Sequence, residues 1–218
     1  MTTSQIYHPR RSPNIATHDV RNVCYHVYEW GDRSRPLLVL LHGWGDTGAS
    51  FQFVVDELGD DFFVIAPDWR GFGNTRLRRQ SYWFPDYIAD LDALLSVYAA
   101  DGPVCLLGHS MGANIAGLYA GIFPKRVRGF VNVEGFGLAD SDPAAAPATY
   151  RRWIEHSRTM PAYATYGDFE QLAERIRRRS PGLGMDRALF VARHWAEERG
   201  SGEIVLRADP AHKLPNAV

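Results

Sequence analysis

Cysteine is scarce. Cys24 and Cys105 are the only two in 218 residues, too few for a disulfide framework, and both lie in strand-like segments where buried, reduced thiols are expected. Long apolar runs are missing as well. Nothing approaches the ~18 consecutive apolar residues of a spanning helix, and Met1-Thr2-Thr3-Ser4-Gln5 lacks a signal-peptide core, so a cytoplasmic protein with no membrane span is expected. Charge of one sign is also lacking: 24 Lys and Arg against 25 Asp and Glu leave a formal charge of −1. That balance offers no electrostatic argument for nucleic acid or an anionic membrane as a partner. The eight histidines, at positions 8, 18, 26, 42, 109, 156, 194 and 212, include no His-x-x-x-His pair and no accompanying Cys-x-x-Cys. Neither a metal site nor a cofactor is therefore expected.

What the chain does contain is a regular alternation of buried-strand and helix signals, ordinary in its 45% hydrophobic and 22% charged residues and long enough for one sizeable core. Residues 1–16 are polar, carry Pro9 and Pro13, and read as a loosely attached arm. A β-rich stretch from Val20 to Tyr28 ends at Gly31-Asp32 and reads as a hairpin or meander at a sheet edge. Leu37 to Leu41 and Phe62 to Ala66 show no polar alternation, as expected of parallel strands covered on both faces. A helix is expected at about 48–58. Phe84, Tyr87, Ile88, Leu91, Leu94, Leu95 and Tyr98 recur at helical spacing behind Pro85, and Tyr82 to Phe84 stand at the loop end within reach of an apolar pocket.

The most informative stretch is Val104-Cys105-Leu106-Leu107-Gly108-His109-Ser110-Met111-Gly112. Its apolar run reads as a buried strand, and the small residues after Gly112 read as a helix, so Ser110 sits on a sharp strand-to-helix turn. Gly108 and Gly112 are needed there because side chains at those positions would strike the neighbouring strand and helix. The first turn of the helix offers free N–H groups and a positive dipole end to an oxyanion. Two further turns follow strand signals. In His42-Gly43-Trp44-Gly45-Asp46, glycines let the backbone approach a ligand, so the Trp44 N–H can point at developing charge. In Asp68-Trp69-Arg70-Gly71-Phe72-Gly73-Asn74-Thr75, Asp68 and Arg70 are expected to form an ion pair that shapes the loop.

Val127 to Val133 reads as another strand, ending at Glu134-Gly135. After residue 136 the pattern changes to helices near 147–158, 168–179 and 186–199, with no buried strand between them. Their narrow apolar faces, such as Leu172 and Ile176, need a surface to cover and read as a lid over the sheet. Arg175, Arg177, Arg178 and Arg179 read as a solvated helix face rather than an anion site.

In order and spacing these motifs resemble the α/β-hydrolase family. The resemblance implies an α/β fold, a mostly parallel sheet with about six of the family's roughly eight strands, and a helical cap. The implied division is an arm over 1–16, a core over 17–135 and a cap over 136–218. It further implies Ser110 as nucleophile and the backbone N–H groups of Trp44 and Met111 as oxyanion hole, supported by the motif residues His42, Gly43, Gly108, His109 and Gly112. A serine nucleophile fits poorly with the relatives that open epoxides through an aspartyl ester.

The family order is nucleophile, then acid, then a histidine after the last strand. Glu134, at the end of the sixth strand, is the candidate acid. The chain stops in cap-like sequence, so the catalytic base is expected to be absent, with His156, His194 and His212 the remaining candidates in the cap. The resemblance therefore implies a truncated, impaired hydrolase of a small or medium apolar ester, marginally stable and able to self-associate through an exposed sheet edge. The rivals are a non-catalytic fragment that binds a ligand or partner, and a hydrolase of carbon–carbon bonds.

Overall fold

The computed structural model describes residues 5–77, 82–100, 102–137, 140, 142–200 and 202–214. Strands β1 (Asn14–Val20) and β2 (Val23–Trp30) form a hairpin, and Arg21 and Asn22 both take positive φ in its two-residue turn. That is the backbone a tight hairpin requires. β3 (Leu37–Leu41) is followed by a 3-10 turn and a four-residue helix α1 (Gln52–Val55), then by β4 (Phe63–Pro67) and α2 (Phe84–Tyr98). β5 (Val104–His109), α3 (Met111–Ile122) and β6 (Val127–Val133) complete a sheet of order β1-β2-β4-β3-β5-β6. β1 and β2 are antiparallel to their neighbours, and the other four strands run parallel.

The apolar runs of β3 and β4 are buried on both faces, as their lack of alternation requires. One face is covered by α2 and α3 through Tyr87, Leu91, Leu94, Leu95, Ile115 and Tyr119, and the other holds Tyr28, Trp30, Leu40, Phe51 and Val55. The sequence promised a longer helix over 48–58. Gly48 explains the tight start, since a Cβ there would lie 2.5 Å from the carbonyl oxygen of Ala66 in β4.

Beyond β6 lie α4 (Ala146–Ser157), α5 (Phe169–Arg179) and α6 (Met185–Trp195), and then a small hairpin of β7 (Ala196–Glu198) and β8 (Ile204–Leu206). The sequence expectation ran α6 on to 199 and foresaw no strand. The chain instead leaves the helix at Ala196, and Ala196 and Ile204 enter a second apolar cluster with Leu172, Ile176 and Leu189. Asp168 caps α5 by accepting from the Gln171 N–H at 2.7 Å. α4 buries no residue fully, and its Tyr150 and Ile154 remain 44% and 47% exposed.

Two more expectations change, those for the arm and for the two cysteines, while the open edge expected at the sixth strand is present. The arm is tied down rather than loose: Tyr7 donates to Asp56 at 2.6 Å, the Arg10 and Arg11 N–H groups donate to the same carboxylate, and residues 14–16 belong to β1. Cys24 is exposed and Cys105 half-buried, both as free thiols, because Cys24 falls on the outward phase of β2. β6 is mostly exposed on both faces and forms one edge of the sheet.

Candidate active site

The turn after β5 carries its strain at Ser110, where φ is 51° and ψ is −115°, a combination an L-residue adopts only when its surroundings enforce it. The enforcement is visible. The Ser110 N–H donates to the Val133 carbonyl at 2.8 Å, and the Ser110 carbonyl accepts from Ala113 and Asn114 at 3.0 Å each. A Cβ on Gly108 would stand 2.4 Å from the Ala113 Cα, and one on Gly112 would stand 2.1 Å from the Leu41 carbonyl oxygen. Both glycines are therefore steric requirements of the turn.

The loop after β3 passes directly beside this serine. A Cβ on Gly43 would come within 3.3 Å of the Ser110 Cβ and 3.0 Å of the His109 Nδ1, so glycine suits the close approach of this loop to the serine turn. Among the described residues neither the Trp44 N–H nor the Met111 N–H, at the first position of α3, has a hydrogen-bond acceptor. His42 locks the loop. Its Nε2 accepts from the Trp69 N–H at 2.8 Å, so the proton rests on Nδ1, which donates to the Gly43 carbonyl at 2.7 Å. Burial pushes its pKa down to about 4, which keeps this tautomer neutral.

The Ser110 hydroxyl makes no hydrogen bond to any described residue, and no histidine reaches it. His109 turns its Nε2 toward Glu134 at 3.9 Å, and that carboxylate is 71% exposed. Glu134 itself sits at φ 58°, in a loop held by mutual hydrogen bonds between Asn132 and Gly135. His156 is exposed on α4, and His194 donates to the Phe190 carbonyl within α6. His212 is clamped elsewhere, stacked between Phe72 and Tyr82 at ring distances of 3.9 and 3.6 Å. Its Nε2 donates to the Arg70 carbonyl at 3.2 Å and its Nδ1 accepts from Tyr87.

The expected ion pair between Asp68 and Arg70 does not form. Asp68 accepts instead from the N–H groups of Gly48 and Asn74, both at 2.8 Å, and thereby ties the β4 loop to the β3 loop. Its burial raises the carboxyl pKa to about 7. Arg70 pairs with Asp90 on α2 at 2.5 Å, twenty residues away and beyond the reach of a local motif. Tyr82 serves as the lid on His212 and donates to Asp209 at 2.9 Å, while Trp83 stays exposed.

A cavity of about 450 Å³ adjoins the Trp44 loop, lined by Trp44 to Thr47, Phe72, one face of α5 and the segment after β8. Ser110 is not among its lining residues. Thr47, Tyr163, Arg207 and Lys213 come together here, and the sequence reading singled out none of them. No local signal marks them, because they meet only through the return of the chain after β8, where Gly73 donates to the Arg207 carbonyl and Asp209 to that of Gly71. Among the described residues no three His, Cys, Asp or Glu side chains converge as a metal site would need.

Residues 36–198 match the model of a family described as having the alpha/beta hydrolase fold. A serine hydrolase-like protein of Danio rerio is 26% identical over 201 residues, which cover 87% of this chain and 60% of that protein. A pimeloyl-acyl-carrier-protein methyl ester esterase of Aeromonas salmonicida is 29% identical over 170 residues, 75% of this chain and 62% of the esterase. The chain thus spans about three fifths of the length of these two relatives. Among solved structures, the thioesterase domain from the curacin biosynthetic pathway matches with a TM-score of 0.83 at 22% identity, over 92% of this chain and 71% of that domain. At that identity the likeness establishes the fold alone.

Proposed function

Because the chain belongs to the alpha/beta hydrolase family, and is by that membership an enzyme class, we propose that it is a serine hydrolase acting on a small or medium apolar ester through Ser110. The observation that carries this reading is the strained Ser110 turn lying against the free N–H groups of Trp44 and Met111. The serine oxygen attacks the ester carbonyl carbon, and the carbonyl oxygen takes up charge that the two N–H groups stabilise by donating hydrogen bonds to it. The alcohol leaves, and water then cleaves the acyl-enzyme to acid and free serine. Glu134 is the acid of this reading. With no described histidine on Ser110, the serine proton passes to water, and turnover is slow, supported by the oxyanion hole and binding rather than by a full triad.

Hydrolysis of a p-nitrophenyl ester by the whole chain tests the reading. Ser110→Ala is expected to remove the activity above the buffer rate, and equal rates for the two proteins would refute it. A second reading, ligand binding without turnover, is favoured by the unpartnered Ser110 hydroxyl; an ester that binds while neither protein accelerates its hydrolysis would select it. We also propose that β6, as an open edge, lets copies of the chain associate.

A further inference from the structure

Three side-chain polar atoms among the described residues are buried without a hydrogen-bond partner: Thr47 Oγ1, Tyr163 OH and Arg207 Nε. They come from distant parts of the chain, yet all three residues line the cavity of about 450 Å³ beside the Trp44 loop. An unmet buried donor costs about 1–3 kcal/mol, and the three residues that carry one are gathered around one space. The charge on the lining has the same sense. Arg175, Arg179, Arg207 and Lys213 face a single carboxylate, Asp46. That carboxylate is already engaged by the Thr47 N–H, the Ser50 hydroxyl and the Trp195 indole N–H.

The cations differ in how far they are committed. Arg175 and Arg179 stand four residues apart on α5, exposed and without an ion-pair partner among the described residues. Lys213 donates to the Ala162 carbonyl at 2.7 Å and lies 4.2 Å from the centre of the Tyr163 ring. Arg207 stays 3.8 Å from Glu197, too far for a hydrogen bond. Tyr163 and Arg207 also border a second space of about 630 Å³ that contains Glu197 and Asp209. Arg76 and Arg199 line that second space as well, whereas Thr47, Arg175 and Arg179 belong only to the first, where four cations stand against one carboxylate.

We propose that this cavity receives an anionic oxygen group, a carboxylate or a phosphate, through Thr47, Tyr163 and Arg207 as donors, with Arg175 and Arg179 as its cationic rim. The inference rests on the hydrolase reading in one respect: Trp44, which lines the cavity, sits on the loop that passes beside Ser110, and on that reading the anion is the far end of the substrate whose ester lies at Ser110. Phe72, Leu172 and Ile176 on the same lining suit an apolar chain between the two ends. Burial lifts the Tyr163 hydroxyl to about 12, so it remains a donor at neutral pH.

Calorimetric titration of the whole chain with adipate, and separately with inorganic phosphate, tests the proposal without turnover. Saturable binding of one of them below about 10 mM is expected, and which of the two binds tighter identifies the group. Tyr163→Phe is expected to weaken that binding about tenfold, with a melting temperature unchanged or higher because an unmet hydroxyl has been removed. Arg175→Gln/Arg179→Gln, on an exposed helix face, is expected to weaken it about fivefold or more. Ser110→Ala should bind as the parent does. Absence of binding by both anions, or binding that neither substitution weakens, would overturn the proposal. Anion binding without any dependence of ester hydrolysis on Ser110 would refute the hydrolase reading alone.

Discussion

His212 shows how completely a single side chain can be committed to structure. Two aromatic faces, a carbonyl and a tyrosine hydroxyl hold it neutral, and burial lowers its pKa to about 4 from the ordinary 6.5. A histidine whose folded pKa is depressed supports the fold fully above its unfolded pKa, and that support is lost as pH falls from 6.5 toward 4. His42 acts in the same window and with the same sign, whereas Asp68, raised to about 7 from 3.8, acts with the opposite sign. A substitution therefore separates them better than the parent's pH curve does. The stability gap between the parent and His212→Asn is expected to be largest near pH 7.5 and to narrow by about 2 kcal/mol by pH 4.5. Urea unfolding across that range checks it, and a gap independent of pH would show that His212 does not titrate as described.

At the scale of elements, α2 holds the β4 loop through one buried carboxylate. Asp90 is fully buried and receives Arg70 Nε and Nη2, at 2.5 and 2.6 Å, with Arg21 at 2.9 Å. Asp90→Asn leaves Arg70 half-paired in a buried site and is expected to cost about 3–5 kcal/mol of stability. A shift in the urea midpoint worth less than about 1 kcal/mol would contradict this. The contrast with what the sequence discloses is instructive. β3, β4 and β5 are legible because a strand buried on both faces writes itself as an apolar run, and α2 because its apolar residues recur at helical spacing. The Arg70–Asp90 pair is not legible, since nothing local links a loop arginine to a helix twenty residues on. The β7–β8 hairpin is hidden because Ala196-Glu197-Glu198 favours helix, and only burial of Ala196 and Ile204 overrides that preference.

At the scale of the whole molecule, the sheet has the β1–β2 hairpin at one edge and β6 at the other. Val131 and Val133 are 52% and 40% exposed, and Ile122 at the end of α3 and Phe123 just after it are also exposed. Sedimentation of the parent is expected to show association that grows with concentration, and Val131→Lys to shift it toward monomer. A parent that sediments as a monomer throughout would contradict the proposed role of this edge. The Ser110 turn was legible as a family mark, through Gly108, Gly112 and the two companion loops. The cavity beside the Trp44 loop was not, because it is assembled from residues 47, 163 and 207 by the return of the chain after β8. Ser110 is the residue on which the proposed chemistry depends. Prolonged treatment with a fluorophosphonate, followed by mass spectrometry of the digested chain, is expected to find one adduct, on Ser110, that Ser110→Ala abolishes. A Ser110 peptide that stays unmodified, or an equal adduct that survives the substitution, would contradict it.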